Sequence, residues 1–385
     1  MRRRVTLAIA MAGALLVAAS QGHGQETKGQ PFELLRSLQS LQDQVVRGNA
    51  RAHAAQRELL AQIGEQFDSL SDEGWREPRN ARAAIVFVLS GGNARVLQKL
   101  SRSEGGKPLP EKLVQGVQAF GEGRLDQAHD MLSGVDARTL DPGLAGHVAY
   151  VQGELASKKD TAKALAYFED ARLLSPGTIV EEAALRRQIG LLSPVREIDR
   201  YTVLSAHYLR RFSQSVYSAG FKQAFAGAMA QASAADSDRL TRIEALLGGV
   251  AQADRRDIYL DIAKEAVGRA NIDMARFAAR HAARLAEDGN ADRERALLYE
   301  AAARIVTDEF DEGVGMLHAL DAGKMPEADL PLREAALSVA AQVRRPPAAA
   351  MSAPEGQAAQ ITIAQERARR AIAHVDEILT KAEAR

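Results

Sequence analysis

The 385-residue sequence contains no cysteine, which excludes a disulfide framework, a cysteine-based zinc site and a thiol nucleophile. Aromatic residues are scarce, with ten Phe, seven Tyr and one Trp. Net charge is absent as well, since 50 basic residues balance 50 acidic ones. No global field therefore draws the chain to a phosphate backbone or an anionic membrane, which argues against nucleic-acid binding. Past the N-terminal segment, no apolar run is long enough to span a bilayer. What is abundant is alanine, 72 residues or close to one in five, while β-branched side chains are sparse. Such a composition predicts an all-α chain whose small side chains let helices approach closely. The length suffices for two or three compact domains or one elongated repeat array.

The N-terminus reads separately from the rest. Met1-Arg2-Arg3-Arg4 is basic, Val5 to Ala19 is almost unbroken apolar sequence, and Ala18-Ala19-Ser20 offers small residues for cleavage. This is the layout of a secretory signal peptide over residues 1–24, with cleavage near Ala19 to Gly24. Its apolar run is too short for a permanent spanning helix of about 20 residues, and no cysteine follows it to carry a lipid. The expectation is an exported, periplasmic protein with no membrane insertion after cleavage. Losing Arg2, Arg3 and Arg4 and no acid would leave 47 bases against 50 acids.

Residues 25–110 predict an N-terminal helical region. Leu35, Leu38, Leu41 and Val45 recur at helical spacing until Gly48-Asn49. A second helix is expected from Ala50 to Leu70, with Leu59, Leu60, Ile63 and Phe67 facing inward. Trp75, beside a helix start, is expected to plug the core rather than stack on a ligand. Asn80 is expected to cap a helix over Ala81 to Leu89, and Ser90-Gly91-Gly92-Asn93 to end it and cap the next.

Over residues 111–345 the pattern becomes repetitive. Gly116, Phe120, Gly123, Leu125, Ala128 and Leu132 stand at offsets resembling the tetratricopeptide repeat, and Ala164, Phe168, Ala171 and Pro176 do so again. Ala275, Ala279 and Ala282, then Phe310, Gly313, Leu317 and Leu320, continue the phase. It is lost in the middle, where Ser213 to Ala235 reads as one Ala-rich helix interrupted near Gly220 and Gly227. The expectation is an irregular helical solenoid of TPR-like helix-turn-helix repeats, set against a globular multi-helix domain. Residues 346–360 form a Pro/Ala linker that no helix crosses. Residues 361–385 form a C-terminal amphipathic helix, with Ile361, Ala368, Ile372, Val375 and Leu379 on one face, able to cap the array or zip onto a partner.

Chemistry-bearing motifs are missing. No histidine pair has the i, i+4 spacing of a helical zinc hydrolase, and no G-x-S-x-G elbow occurs. Gly106-Lys107 and Gly323-Lys324 lack the earlier glycine of a phosphate-cradling loop. No catalytic, cofactor-binding or metal-ligating residue is assigned. Glu181-Glu182 reads as solvated charge that also favours a helix start.

Two stretches are busier than packing requires. Arg186 and Arg187 follow Glu181-Glu182 on one helix, and Tyr208, Arg210, Arg211 and Tyr217 lie among Tyr201, Phe212 and Phe221. Arginine beside aromatic rings is the composition that carries interface energy. Arg186, Arg187, Tyr208, Arg210, Arg211 and Tyr217 are therefore the candidate partner-binding residues. The alternative is that these rings fill the core of the irregular middle unit.

Several of these segments carry a family resemblance. Pro31 to Gln42 (PFELLRSLQSLQ), Asn80 to Ile85 with Leu89 to Asn93, Ser175 to Thr178 with Val180 to Arg187, and Tyr208 to Phe212 resemble the MotC family of periplasmic motility proteins in rhizobial-type flagellar systems. The resemblance extends over roughly Pro31 to Phe221. It implies a flagellar motor accessory without enzymatic activity that binds the periplasmic part of the stator protein MotB. It supplies no residue-level binding motif. Two alternatives stand beside it: a general periplasmic scaffold for another envelope protein, and a cell-wall lytic enzyme. The last would need a Glu-Ser pair in a lysozyme-like domain, and the sequence contains no Glu-Ser dipeptide.

Overall fold

Eighteen α-helices and short 3₁₀ turns, with no strand among the described residues, make up the computed structural model of the chain. The structure describes residues 30–194, 196–231 and 237–344. The signal segment, the Pro/Ala linker and the C-terminal amphipathic helix expected from sequence lie outside them. The all-α class is borne out. The chain divides into two compact units after Leu185.

The first unit contains α1 (Pro31–Val46), α2 (Ala50–Asp68), α3 (Asp72–Arg76), α4 (Pro78–Leu89), α5 (Arg95–Arg102), α6 (Glu111–Gly121), α7 (Leu125–Leu132), α8 (Pro142–Ala156) and α9 (Thr161–Leu174). The boundary falls inside α10 (Ile179–Leu191). Local chemistry sets many of these ends. Pro31 opens α1 with its φ already helical, and the Glu33 carboxylate accepts from the Gln30 N–H. Asn49 starts α2 by accepting from the N–H groups of Arg51 and Ala52. Asn93 accepts from Arg95 N–H ahead of α5, as expected.

The core of this unit is α4, on which every residue from Asn80 to Val88 except Arg82 is buried. A helix apolar nearly all round must be covered on every side, and α1, α2, α3, α5, α6 and α8 all pack against it. Trp75 is indeed a plug. It is 3% exposed and stacked on Phe67 with centroids 5.6 Å apart. Asn80 differs from expectation. Glu77 caps α4 through the Arg79 N–H, and Asn80 sits one turn inside, fully buried. Its Oδ1 accepts from Phe32 N–H, and its Nδ2 donates to the Gly74 carbonyl and to Gln30 Oε1. Asn80 thus ties α1 to α3 and α4 through bonds that a cap prediction does not include. Leu59 and Leu60, expected inward, are only partly buried on α2.

Helical hairpins form at the predicted repeats. In α6/α7, a Cβ on Gly116 would come within 2.7 Å of Leu132, so only glycine permits this helix separation. In α8/α9, Gly153 faces Phe168, whose ring would lie 2.6 Å from a Cβ there, and Ala164, Phe168 and Ala171 are fully buried beside it.

The second unit contains α11 (Ile198–Arg211), α12 (Ser218–Gln231), α13 (Ser237–Gly248), α14 (Gln252–Gly268), α15 (Ile272–Leu285), α16 (Ala291–Arg304), α17 (Phe310–Ala319) and α18 (Leu330–Arg344). Hairpins α14/α15 and α16/α17 match the later repeat phase, with Ala275, Ala279 and Ala282 fully buried. The middle is a correction. The single Ala-rich helix expected from Ser213 begins only at Ser218, and Gly220 and Gly227 lie inside it without breaking it. The break comes earlier because the buried Ser215 hydroxyl accepts from Tyr217 N–H while its carbonyl accepts from Ser218 N–H. That local side-chain bond competes with helix continuation.

Candidate interaction site

The candidate residues all lie in the second unit, where α11 sorts them by periodicity. Tyr201, Leu204, Ser205, Tyr208, Leu209 and Phe212 recur at helical spacing along one side and are all buried. The opposite side of the helix carries Arg200, Val203 and Arg210, which are exposed, with Val203 at 66%. The stripe of rings is therefore core. Tyr208 is 0% exposed, and its ring centroid stands 3.9 Å from Phe221 and 5.7 Å from Phe212. Tyr201 stacks on Phe225 at 6.1 Å. The expectation that Tyr208 faces a partner is thus corrected. Its ring supports the surface from beneath, and the core alternative holds for it and for Tyr201, Phe212 and Phe221.

The cationic members behave differently. The Arg186 guanidinium lies over the Tyr217 ring, 4.4 Å from its centroid, in cation–π contact. Both groups are partly exposed, and Arg187 is exposed beside them in sequence. Arg210 and Arg211 are exposed on the last turn of α11, where positive charge complements the helix dipole. Arg210 runs across Gly249, whose absent Cβ would lie 3.6 Å from its Cδ, and forms no ion pair among the described residues. Arg211 sits 5.9 Å from the Phe212 ring centroid. The structure joins Arg186 to Tyr217 directly and presents Arg210 and Arg211 from a neighbouring helix end.

Upstream on α10, Glu181 and Glu182 are buried rather than solvated. Glu181 accepts from the Gly177 N–H ahead of the helix, so it keeps the helix-start role that its position suggested. Local spacing carries no sign of that burial.

Among the described residues no group of three or more His, Asp or Glu side chains is placed to hold a metal ion, and no helix is long and apolar enough to cross a membrane. Of the histidines among the described residues, His147 is the most strongly perturbed. His147 on α8 is partly buried and lines, with Gln39, Pro142, Leu174 and Pro176, a cavity of about 360 Å³. Burial pushes its pKa down from 6.5 to about 4. The neutral ring is favoured by folding, so this contribution is complete above pH 6.5 and fades as pH falls towards 4. Urea unfolding at pH 7, 5.5 and 4 should therefore show the chain losing roughly 1–3 kcal/mol more than a His147→Leu variant across that window. Parallel pH profiles for the two proteins would refute this.

Fold and surface together define a class: an all-α protein of paired helices that displays arginines and an arginine-stacked tyrosine over an aromatic core. More particularly, the chain belongs to the family described as chemotaxis protein MotC, whose family model matches residues 1–385. It is similar to the chemotaxis protein MotC of Rhizobium meliloti (strain 1021), at 30% identity over 345 residues, covering 89% of this chain and 79% of that protein. No solved structure matches the chain.

Proposed function

We propose that this chain is an exported accessory of the flagellar motor that binds the periplasmic part of the stator protein MotB and supports rotation. The observation carrying this reading is the family match along the whole chain. The basic and apolar N-terminal segment supports export. Arg186 over Tyr217, with exposed Arg187, Arg210 and Arg211, supplies surface chemistry suited to protein binding.

Deleting the gene should leave flagella assembled but still, and normal swimming of the deletion strain would sink the proposal. At residue level, the double change Arg210→Glu and Arg211→Glu should weaken capture of the MotB periplasmic part by about tenfold or more while the helical circular dichroism stays unchanged. Undiminished capture would remove this patch from the interface. Should capture from envelope extracts recover a different protein and never MotB, the general-scaffold reading takes precedence.

A further inference from the structure

We propose that the groove along α15 is a second docking surface, which accepts an acidic helical segment of a protein partner. This inference does not rest on the motility reading, because its grounds are the charge and spacing of the groove itself.

The groove has a volume of about 780 Å³ and is lined along one side by Arg276, Arg280 and Arg284, with Phe277 and His281 between them. Successive arginines lie four residues apart, so they recur every ~6 Å along the helix. Phe277 packs against His281 in a tilted arrangement with centroids 4.4 Å apart, and His281 stacks on Tyr259 at 4.8 Å, which holds the aromatic floor in place. Rigid rings bordered by guanidinium groups are the makings of an interface centre.

The arginines are unequally occupied. Arg276 is committed to Glu309 at 2.6 Å and is largely covered. Arg280 gives only its Nε to Glu300, at 3.1 Å, and about half of its side chain is exposed. Glu300 is in turn held by Arg304 at 2.7 Å, so it does not depend on Arg280 alone. Arg284 is exposed and forms no ion pair or hydrogen bond among the described residues. Among the described residues the lining acids are Asp273 and Glu300, and Glu244 stands 3.9 Å from His281, but none of the three forms an ion pair with Arg284. Unfilled guanidinium donors at one-turn intervals beside an apolar strip complement a helix carrying Glu-x-x-x-Glu on one face and apolar residues next to it.

The test uses the full chain and two fluorescein-labelled helical peptides of ~20 residues. One carries Glu at every fourth position beside a Leu/Ala strip, and the other carries Lys at the same positions. In anisotropy titrations the Glu peptide should bind at least about tenfold more tightly than the Lys peptide, and its affinity should fall with added salt. Arg284→Glu should weaken it by about tenfold with an unchanged melting curve. Arg280→Gln, which leaves Glu300 its bond to Arg304, should weaken it as well, whereas Arg210→Glu with Arg211→Glu should not. Equal affinity for the two peptides, insensitivity to Arg284→Glu, or equally effective competition by inorganic polyphosphate would each overturn the proposal.

Discussion

Replacing Asp329 by alanine is expected to lower the stability of the second unit by about 3–5 kcal/mol, the cost of breaking a buried charge cluster from one side. Its carboxylate is only 2% exposed and accepts three bonds. These come from Lys264 Nζ at 2.9 Å, Arg295 Nε at 2.8 Å and the Tyr299 hydroxyl at 2.8 Å. Lys264 is 44% exposed and can turn to water, so little of the cost is expected from it. Tyr299 has no such recourse and would lose a buried acceptor, while Arg295, 21% exposed, would keep only its 3.4 Å contact with Asp292. Because Asp329 closes the 3₁₀ turn leading into α18, these bonds also fasten the last described helix to α14 and α16. Asp329→Asn keeps the shape and one acceptor and should lose less, about 1–3 kcal/mol. Urea unfolding followed by circular dichroism measures both, and a loss under about 1 kcal/mol for the alanine variant would refute the argument.

The same cluster has a pH signature. Burial works to raise the Asp329 pKa, but the hydrogen bonds from Lys264, Tyr299 and Arg295 outweigh it and leave the carboxyl below its usual 3.8. Its stabilising contribution is therefore present above that value and is lost as pH falls through the lowered one. This acid limb lies below the His147 window, which allows the two to be separated.

Trp75→Ala is the second large effect, with an expected loss of about 3–5 kcal/mol from the first unit. Trp75 is almost wholly buried, nearly parallel to Phe67 with 18° between planes, and Phe67 in turn packs on Phe87 of α4 at 5.4 Å. Removing the indole opens a cavity beside the most buried helix of the unit. Neighbouring side chains cannot fill it without leaving their own contacts. Trp75→Phe retains an apolar ring and should lose markedly less. Since the chain has one tryptophan, the wild-type emission maximum reports on this site alone. It should be blue-shifted in the native state and move red on unfolding. A red native maximum, or an alanine variant of unchanged stability, would contradict the burial described.

Legibility from sequence followed the range of the interactions involved. The helices themselves were readable because Leu35, Leu38 and Val45, or Ala275, Ala279 and Ala282, mark a buried face within a few turns of chain. The Asn93 cap, formed with a nearby residue, was equally readable. Asn80 was not, because Phe32, its partner across the fold, lies 48 residues away. Nor was the break before α12, where a single buried serine outcompeted the helical propensity of the alanines that follow. Of the candidate residues, Arg187, Arg210 and Arg211 are exposed, while Tyr208 is buried. Residue type alone cannot separate a ring that covers a core from one that meets a partner. The α11 periodicity held that information, since Tyr208 shares its stripe with Leu204, Leu209 and Phe212.

Composition and local spacing thus determined by themselves that this protein is all-α, that it turns in helical hairpins, and where most hairpins fall, because backbone hydrogen bonding and amphipathic periodicity act within a few residues. Only the tertiary structure decided which charges are inside. Asp329 is buried against side chains brought from α14 and α16. Asp329 alone gathers partners 30, 34 and 65 residues away. Long-range packing of that kind leaves no periodic trace in the chain.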